Sequence, residues 1–476
     1  MTLFQILVFV LIGLLVGRWG GTRWRAWLML VGSVLAIFWL QPGIPIRYLD
    51  FWLPTATLVL TAMVWGLTRP AGQPHLTRPD LIAVAVMLVV VLGIGLSRYS
   101  SPLCCLTTTR PPPFQQILLA MLVTAVGIAL LLRTAATRPW MSTVFVVLLL
   151  GLFAVLKTAP LSTGLSAALR GLMQQNIALA SALDIRWLGF SYVTFRLIHV
   201  LRDRVSGRLP DISLAEMVTF TIFFPAYVAG PIDRVQRFTP DLRADYRLGS
   251  RDLRTSGERL VWGIFKKFVI ADTLALIALN AQNASQVNST FWMWVILYAY
   301  AFLIYFDFSG YTDVAIGLGM LMGIRLPENF NRPYLQHNLT QFWNTWHMTL
   351  AQWFRAYYFN PLTRSLRASP RHIPVQWIIL IGQFSTMVLI GLWHGVTWNF
   401  AIWGAWHGLG LFAHNRWNEF VRVRLGQQPL QPRTQRLLGV GGILLTFNFV
   451  ALGWVWFSLP TPELSLRVFS VLFGAG

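Results

Sequence analysis

Residues 375–400 read VQWIILIGQFSTMVLIGLWHGVTWNF. Twenty residues without a charged side chain end in a histidine, His394, set between Trp393 and Gly395. A helix rises 1.5 Å per residue and needs about 20 residues to cross about 30 Å of hydrocarbon, so this stretch is long enough to span a bilayer. Similar apolar runs recur along almost the whole 476-residue chain, which is 55% hydrophobic and only 12% charged. Soluble domains average roughly a quarter charged residues, and the mean hydropathy here is +0.58. The runs are continuous Leu, Val, Ile and Phe rather than the ten-residue alternation of a closed sheet, so the expected fold is an all-α polytopic membrane protein.

The charge pattern orients it. A net charge of +21 raises nucleic acid as a partner, but the arginines sit in short connections between apolar runs and form no single basic stripe. Positive-inside topology beside an anionic lipid bilayer accounts for them, and no nucleic acid is expected. Spans are read near residues 3–17, 26–41, 48–67, 81–97, 116–132 and 140–158. Arg18, Arg23 and Arg25, then Arg69 and Arg78, then Arg133 and Arg138 mark alternate connections as cytoplasmic, which puts the N-terminus outside. The first run lacks a basic n-region and a small-residue cleavage site, so it reads as a helix and not a removable signal. A further span, WLGFSYVTFRLIHVL, returns inward onto Arg202, Arg204 and Arg208.

Two segments break the alternation. The stretch near 213–231 has cytoplasmic arginines on both flanks, and Pro225, Gly230 and Pro231 interrupt it, so a re-entrant or partly inserted segment is expected. LTQFWNTWHMTLAQWFRAYYF (339–359) is aromatic-rich yet too polar to span. On one helix it would set Asn344, His347, Ala351 and Arg355 along one side, with Trp346 among the aromatic remainder, as an amphipathic helix near the cytoplasmic face. Between them GIFKKFVIADTLALIAL runs outward and FWMWVILYAYAFLIYFDFSG returns; 373–393 and 398–415 form another pair, and LLTFNFVALGWVWFSL precedes an amphipathic tail. The organisation expected is 1–160 as N-terminal spans, 161–430 as a core with the re-entrant and amphipathic helices, and 431–476 as a last span and tail.

Chemistry-bearing residues are few. Burial disfavours a charged imidazolium, so an intramembrane His394 is expected neutral and able to take a proton from a hydroxyl, as a general base requires. The alternative is a packing histidine bonded to a backbone carbonyl. His347 lies 47 residues earlier, on the semi-polar segment, and two histidines at different depths suggest a pathway. His75, His337 and His372 read as loop residues; His199, His407 and His414 as packing or helix-end residues. Asp307 and Asp272, costly in lipid, must face polar protein or water, either paired with arginine or in a direct role. Cys104 and Cys105 are adjacent in a loop and form neither a disulfide framework nor a metal site. A Walker loop, a GxSxG elbow, zinc-type Cys/His spacing and a dinucleotide fingerprint are all missing from the sequence.

Six ordered stretches between about 185 and 460 resemble the membrane-bound O-acyltransferase family, in its bacterial polysaccharide O-acetyltransferase and teichoic-acid D-alanyltransferase branch. They are FFPAYVAGPIDR, GIFKKFVIADTLA, YFDFSGYTDVAIGLGMLMGIRLPENFNRPY, FWNTWHMTLAQWFRAYYFNPL, GLWHGVTWNFAIWGAWHG and LGWVWFS. The resemblance implies 11–13 transmembrane or partly inserted helices in a ring around a central tunnel in the inner membrane. It implies His394 as the base and His347 as a tunnel residue; Asn344, Trp346, Arg355, Asp307, Trp393 and, by its place just after the base, Asn399 are read beside them as candidates for substrate contact. No tightly bound cofactor is implied; the donor would be acetyl-CoA or an acyl-carrier thioester, brought by a carrier protein or free on the cytoplasmic side. The acceptor would be hydroxyls of an extracytoplasmic polysaccharide, reached directly or through a periplasmic acyltransferase partner. D-alanyl transfer to teichoic acid is the nearest alternative. A polytopic exporter of glycan precursors is the alternative of another class, but it gives no reason for a histidine at a WHG turn.

Overall fold

A computed structural model describes residues 1–19, 21–69, 76–100, 107–135, 140–425 and 431–474. His75, Arg138, Cys104 and Cys105 lie outside the described residues, and of Arg23 only the backbone is described. The protein is an all-α, multi-pass membrane protein. Among the described residues, six helices are long and apolar enough to cross a membrane: Leu49–Leu67, Arg78–Tyr99, Trp140–Lys157, Thr290–Leu321, Val375–His394 and Pro432–Ser458. Shorter apolar helices cover Leu3–Trp19, Trp24–Leu40, Phe114–Leu130 and Leu214–Ala226. The sequence reading passes over several helices, among them Ala159–Leu172, whose Ala, Gly and Ser content leaves little apolar signal, and the polar Val235–Arg243.

The chain divides into two compact units, one of 1–260 with 314–327, the other of 261–313 with 328–476. In the first unit, Leu214–Ile222 is a helix of nine residues followed by a single 3₁₀ turn, Phe224–Ala226. Nine residues rise about 14 Å, half the hydrocarbon thickness, so the segment is too short to cross as a helix. Ser213 and Glu216 form a capping box at its start, and the Leu214 N–H donates to Asp80 Oδ1 at 2.7 Å. At its far end the buried Arg196 guanidinium donates to the carbonyls of Thr221 (2.8 Å) and Ala226 (2.7 Å). A cation thus satisfies carbonyls that a broken helix leaves without partners.

A second buried cation works the same way. Arg25, 1% exposed, donates to the carbonyls of Met322 (2.6 Å), Asp241 (2.6 Å), Leu242 (3.0 Å) and Ala244 (2.8 Å).

In the second unit, Val375–His394 and Trp398–Leu425 form a hairpin joined by three residues. Glycines set its spacing. A Cβ on Gly391 would lie 2.1 Å from the Phe400 carbonyl oxygen, one on Gly404 2.6 Å from Val388 Cα, and one on Gly408 2.8 Å from Phe384 Cα. Lipid supplies no hydrophobic drive between helices, so such backbone proximity and its van der Waals contact hold the pair together. The helix beginning at Ser250 turns into a π-helical segment, Phe265–Ala271. Lys266 of that segment pairs with Asp313 at 2.8 Å and Lys267 with Asp307. Asp307 is therefore partnered by lysine and not by the arginine expected, while Asp272 is exposed.

The stretch 339–359 departs from the expected single helix. It is broken into Leu339–Thr345 and Met348–Phe354, followed by a π-helical turn, Arg355–Phe359. At the break His347 adopts φ 41°, left-handed backbone that is uncommon for a residue with a Cβ.

Gly391→Val places a branched side chain against backbone with no room to shift. The expected result is a loss of at least about 1–3 kcal/mol, read as a lower thermal midpoint in detergent. Gly151→Ala, where a Cβ meets nothing within 4 Å, should leave that midpoint unchanged. If the segment 213–231 inserts only partly, a cysteine at position 240, which is exposed, should be labelled only by reagents on the cytoplasmic side.

Candidate functional site

The site is built from the hairpin turn and the broken segment, both in the second unit. His394 closes the helix Val375–His394 and is partly exposed. Its ring lies among aromatics: Trp393 at 4.6 Å, Phe457 at 4.7 Å, Trp403 at 5.8 Å and Phe400 at 5.9 Å between centroids. His347 is 3% exposed. Its ring meets Phe308 at 4.7 Å and Trp393 at 6.3 Å. Trp393 therefore touches both histidines.

Hydrogen bonds fix the tautomer of His347. The Asn329 side chain, fully buried, takes a bond from the backbone N–H of Thr349 at 3.2 Å, so the atom there is the amide oxygen. The same Oδ1 accepts from the Thr349 hydroxyl at 2.8 Å and contacts His347 Nδ1 at 3.1 Å. An amide oxygen only accepts, so Nδ1 carries the proton and the neutral ring keeps its lone pair on Nε2. Nε2 is buried with no partner among the described residues. His347 lies on a connection outside the spanning helices, and burial holds its imidazole well below the ordinary value, with the neighbouring His394 adding to the shift.

Asn329 also explains the break. Its carbonyl accepts from Met348 N–H at 2.9 Å, and Asn331 N–H donates to the Thr345 carbonyl at 2.9 Å. An irregular strand of chain thereby takes over hydrogen bonds that a continuous helix would have made for itself.

The remaining expected residues fall in different places. Trp346 is buried among Tyr305, Phe330, Phe342 and Trp454. Arg355 donates to Asn344 Oδ1 at 2.7 Å, and both are exposed, so these two do share a side despite the break. Asp307 is engaged with Lys267. Asn399, 2% exposed, gives its Nδ2 to the Leu459 carbonyl (2.8 Å) and to Ser465 Oγ (3.0 Å). Those bonds tie the turn to the C-terminal helix, and the Asn399 Oδ1 has no partner among the described residues.

One residue carries more than its sequence reading gave it. His407 is fully buried as a packing residue, against Trp403 (5.0 Å) and Trp343 (5.2 Å), yet neither ring nitrogen has a partner among the described residues. The indole nitrogens of Trp343 and Trp403 are likewise buried and unpartnered. Buried polar atoms are ordinarily bonded, so this grouping is unusual. The signal was present: Trp406–His407–Gly408 repeats the Trp393–His394–Gly395 triplet.

The model of the MBOAT, membrane-bound O-acyltransferase family, matches residues 123–456. The chain belongs to the membrane-bound O-acyltransferase family. The match begins 100 residues before the first motif that carries the resemblance, FFPAYVAGPIDR at 223–234, so it takes in helices with no motif of their own. Over 290 residues the chain is 32% identical to the teichoic acid D-alanyltransferase of Streptococcus thermophilus, covering 58% of this chain and 68% of that one. It is 34% identical over 291 residues to the probable alginate O-acetylase AlgI of Pseudomonas aeruginosa, covering 61% and 52%. To the peptidoglycan O-acetyltransferase of Helicobacter pylori it is 33% identical over 288 residues, covering 58% and 51%. The chain thus spans about half the length of the O-acetylases it matches. Family membership places it among acyltransferases.

Asn329→Ala removes the shared acceptor of Thr349 and His347. A buried donor left without its partner costs about 1–3 kcal/mol, so the thermal midpoint should fall clearly; Thr349→Val, which loses only the hydroxyl bond, should lower it less.

Proposed function

We propose that this protein transfers an acetyl group from an activated donor on the cytoplasmic side to hydroxyls of a polysaccharide on the outer face of the inner membrane. The donor is acetyl-CoA or an acyl-carrier thioester, and no resident cofactor takes part. The observation that carries the reading is the run of ring contacts from the buried His347, through Trp393, to the partly exposed His394. The unpartnered atoms of His347, Trp343, Trp403 and His407 support a polar passage through this unit, since such atoms are stabilised by polar molecules.

In the reaction the acceptor oxygen bonds to the acyl carbon and the carbon–sulfur bond breaks, its electron pair leaving with sulfur. His394 takes the hydroxyl proton as the oxygen attacks and returns it to the thiolate. General-base assistance of this kind contributes about 10²- to 10⁴-fold in rate. The bare Nε2 of His347 is suited to hold the donor end of the passage, as a hydrogen-bond acceptor.

D-alanyl transfer to teichoic acid from a carrier protein is the second reading. It is favoured by the extent of the match, which covers 68% of the D-alanyltransferase relative against 52% and 51% of the two O-acetylases. In either reading a periplasmic acyltransferase can complete delivery to the glycan.

Membranes carrying the wild type should move label from acetyl-CoA to envelope hydroxyls, and His394→Ala should lower the rate by 10²-fold or more at equal expression and equal thermal midpoint. Equal transfer by the variant removes His394 as the base. Label arriving only from a D-alanyl carrier selects the second reading.

A further inference from the structure

The chain has three lysines. Lys266 and Lys267 are each paired with an aspartate. Lys157 is different: it is half-buried at the end of the span Trp140–Lys157, above the Phe153 ring at 5.7 Å, with no acidic partner among the described residues. It lines a cavity of about 350 Å³ in the first unit, together with Pro42, Phe153, Arg186, Trp187 and Gly189. Arg186 is exposed and spends its Nε on the Leu183 carbonyl at 3.2 Å, without an acidic partner among the described residues.

Three features make this cavity a built site. Its volume lies in the range of small-ligand pockets, about 300–1,000 Å³. Its shape is held by Gly189, whose φ is +71° and whose Cβ would lie 2.7 Å from the Tyr227 ring, and by Trp187, whose Nε1 donates to Thr57 Oγ1 at 2.9 Å. The alternation of basic connections puts this end of the span outside, where lysine and arginine run against the positive-inside preference. Two cations without counter-charge, on the disfavoured side, ask for an anion from elsewhere.

We propose that this cavity binds a carboxylate-bearing sugar residue of the outer glycan, its carboxylate on Lys157 and Arg186 and its ring against the flat apolar walls of Pro42, Phe153 and Trp187. A carboxylate matches the two cations through charge-assisted hydrogen bonds, and ring walls suit the C–H face of a pyranose. The inference rests on the proposed function only in choosing a glycan over the headgroup of an anionic phospholipid.

The test uses the full chain in phosphatidylcholine nanodiscs, with a labelled uronic-acid hexamer as probe and a neutral hexose hexamer as control. The acidic hexamer should bind and the neutral one should not. Lys157→Met should weaken binding at least tenfold at an unchanged thermal midpoint, while Lys157→Arg should retain it. No binding of the acidic hexamer, equal binding of both hexamers, or equal binding by Lys157→Met overturns the proposal. Loss of hexamer binding when phosphatidylglycerol replaces part of the lipid, with Lys157-dependent retention of that lipid, assigns the cavity to a headgroup and also overturns it. His394→Ala should bind the acidic hexamer like the wild type, so loss of binding and loss of transfer are read separately.

Discussion

The backbone contact between Val375–His394 and Trp398–Leu425 is the constraint on which the histidine pair depends. Gly391, Gly404 and Gly408 remove every side-chain atom that would hold the two helices at ordinary distance. Because the helices approach so closely, the turn between them is short, and His394 sits at its start with Phe400 and Trp403 of the second helix against its ring. Larger residues at those glycines would separate the helices and carry the imidazole away from Trp393's neighbours. The position of a single ring thus follows from what three residues lack.

Polar groups in this protein fall into two populations. One is fully satisfied: Arg196 and Arg25 each hold several carbonyls left over by broken or ended helices, and the buried Arg170 donates to Asp184 at 2.9 Å. These groups allow irregular backbone inside a protein whose surroundings cannot hydrate it. The other population, which includes His347, Trp403 and His407, keeps polar atoms with no partner among the described residues. Unsatisfied groups are expensive in a core, and among the described residues they occur in both units, at Ser33, Thr194 and Ser256 as well as at His347 and His407.

Much of this was legible in the chain because lipid imposes a length. The long apolar helices among the described residues were readable from runs of about 20 residues, and the early end of the helix within 213–231 from Pro225, Gly230 and Pro231. The break at His347 was not legible: local periodicity favours a continuous helix there, and the group that interrupts it, Asn329, acts from 18 residues away. The π-helical segment carrying Lys266 and Lys267 escaped for the same reason, since Gly310 of another helix packs against it. His407 had a local signal, the repeated triplet, but burial without partners is a property of three dimensions.

Arg25 reaches carbonyls as far as 297 residues ahead of it in the chain. At synthesis rates of about 5–20 residues per second, on the order of 15–60 s separate the emergence of this guanidinium from that of its last partner, the Met322 carbonyl. During that interval the arginine must stay hydrated or be sheltered by the insertion machinery. Biogenesis of the N-terminal hairpin is therefore completed late, and a nascent chain truncated before residue 322 leaves this cation without part of its cage.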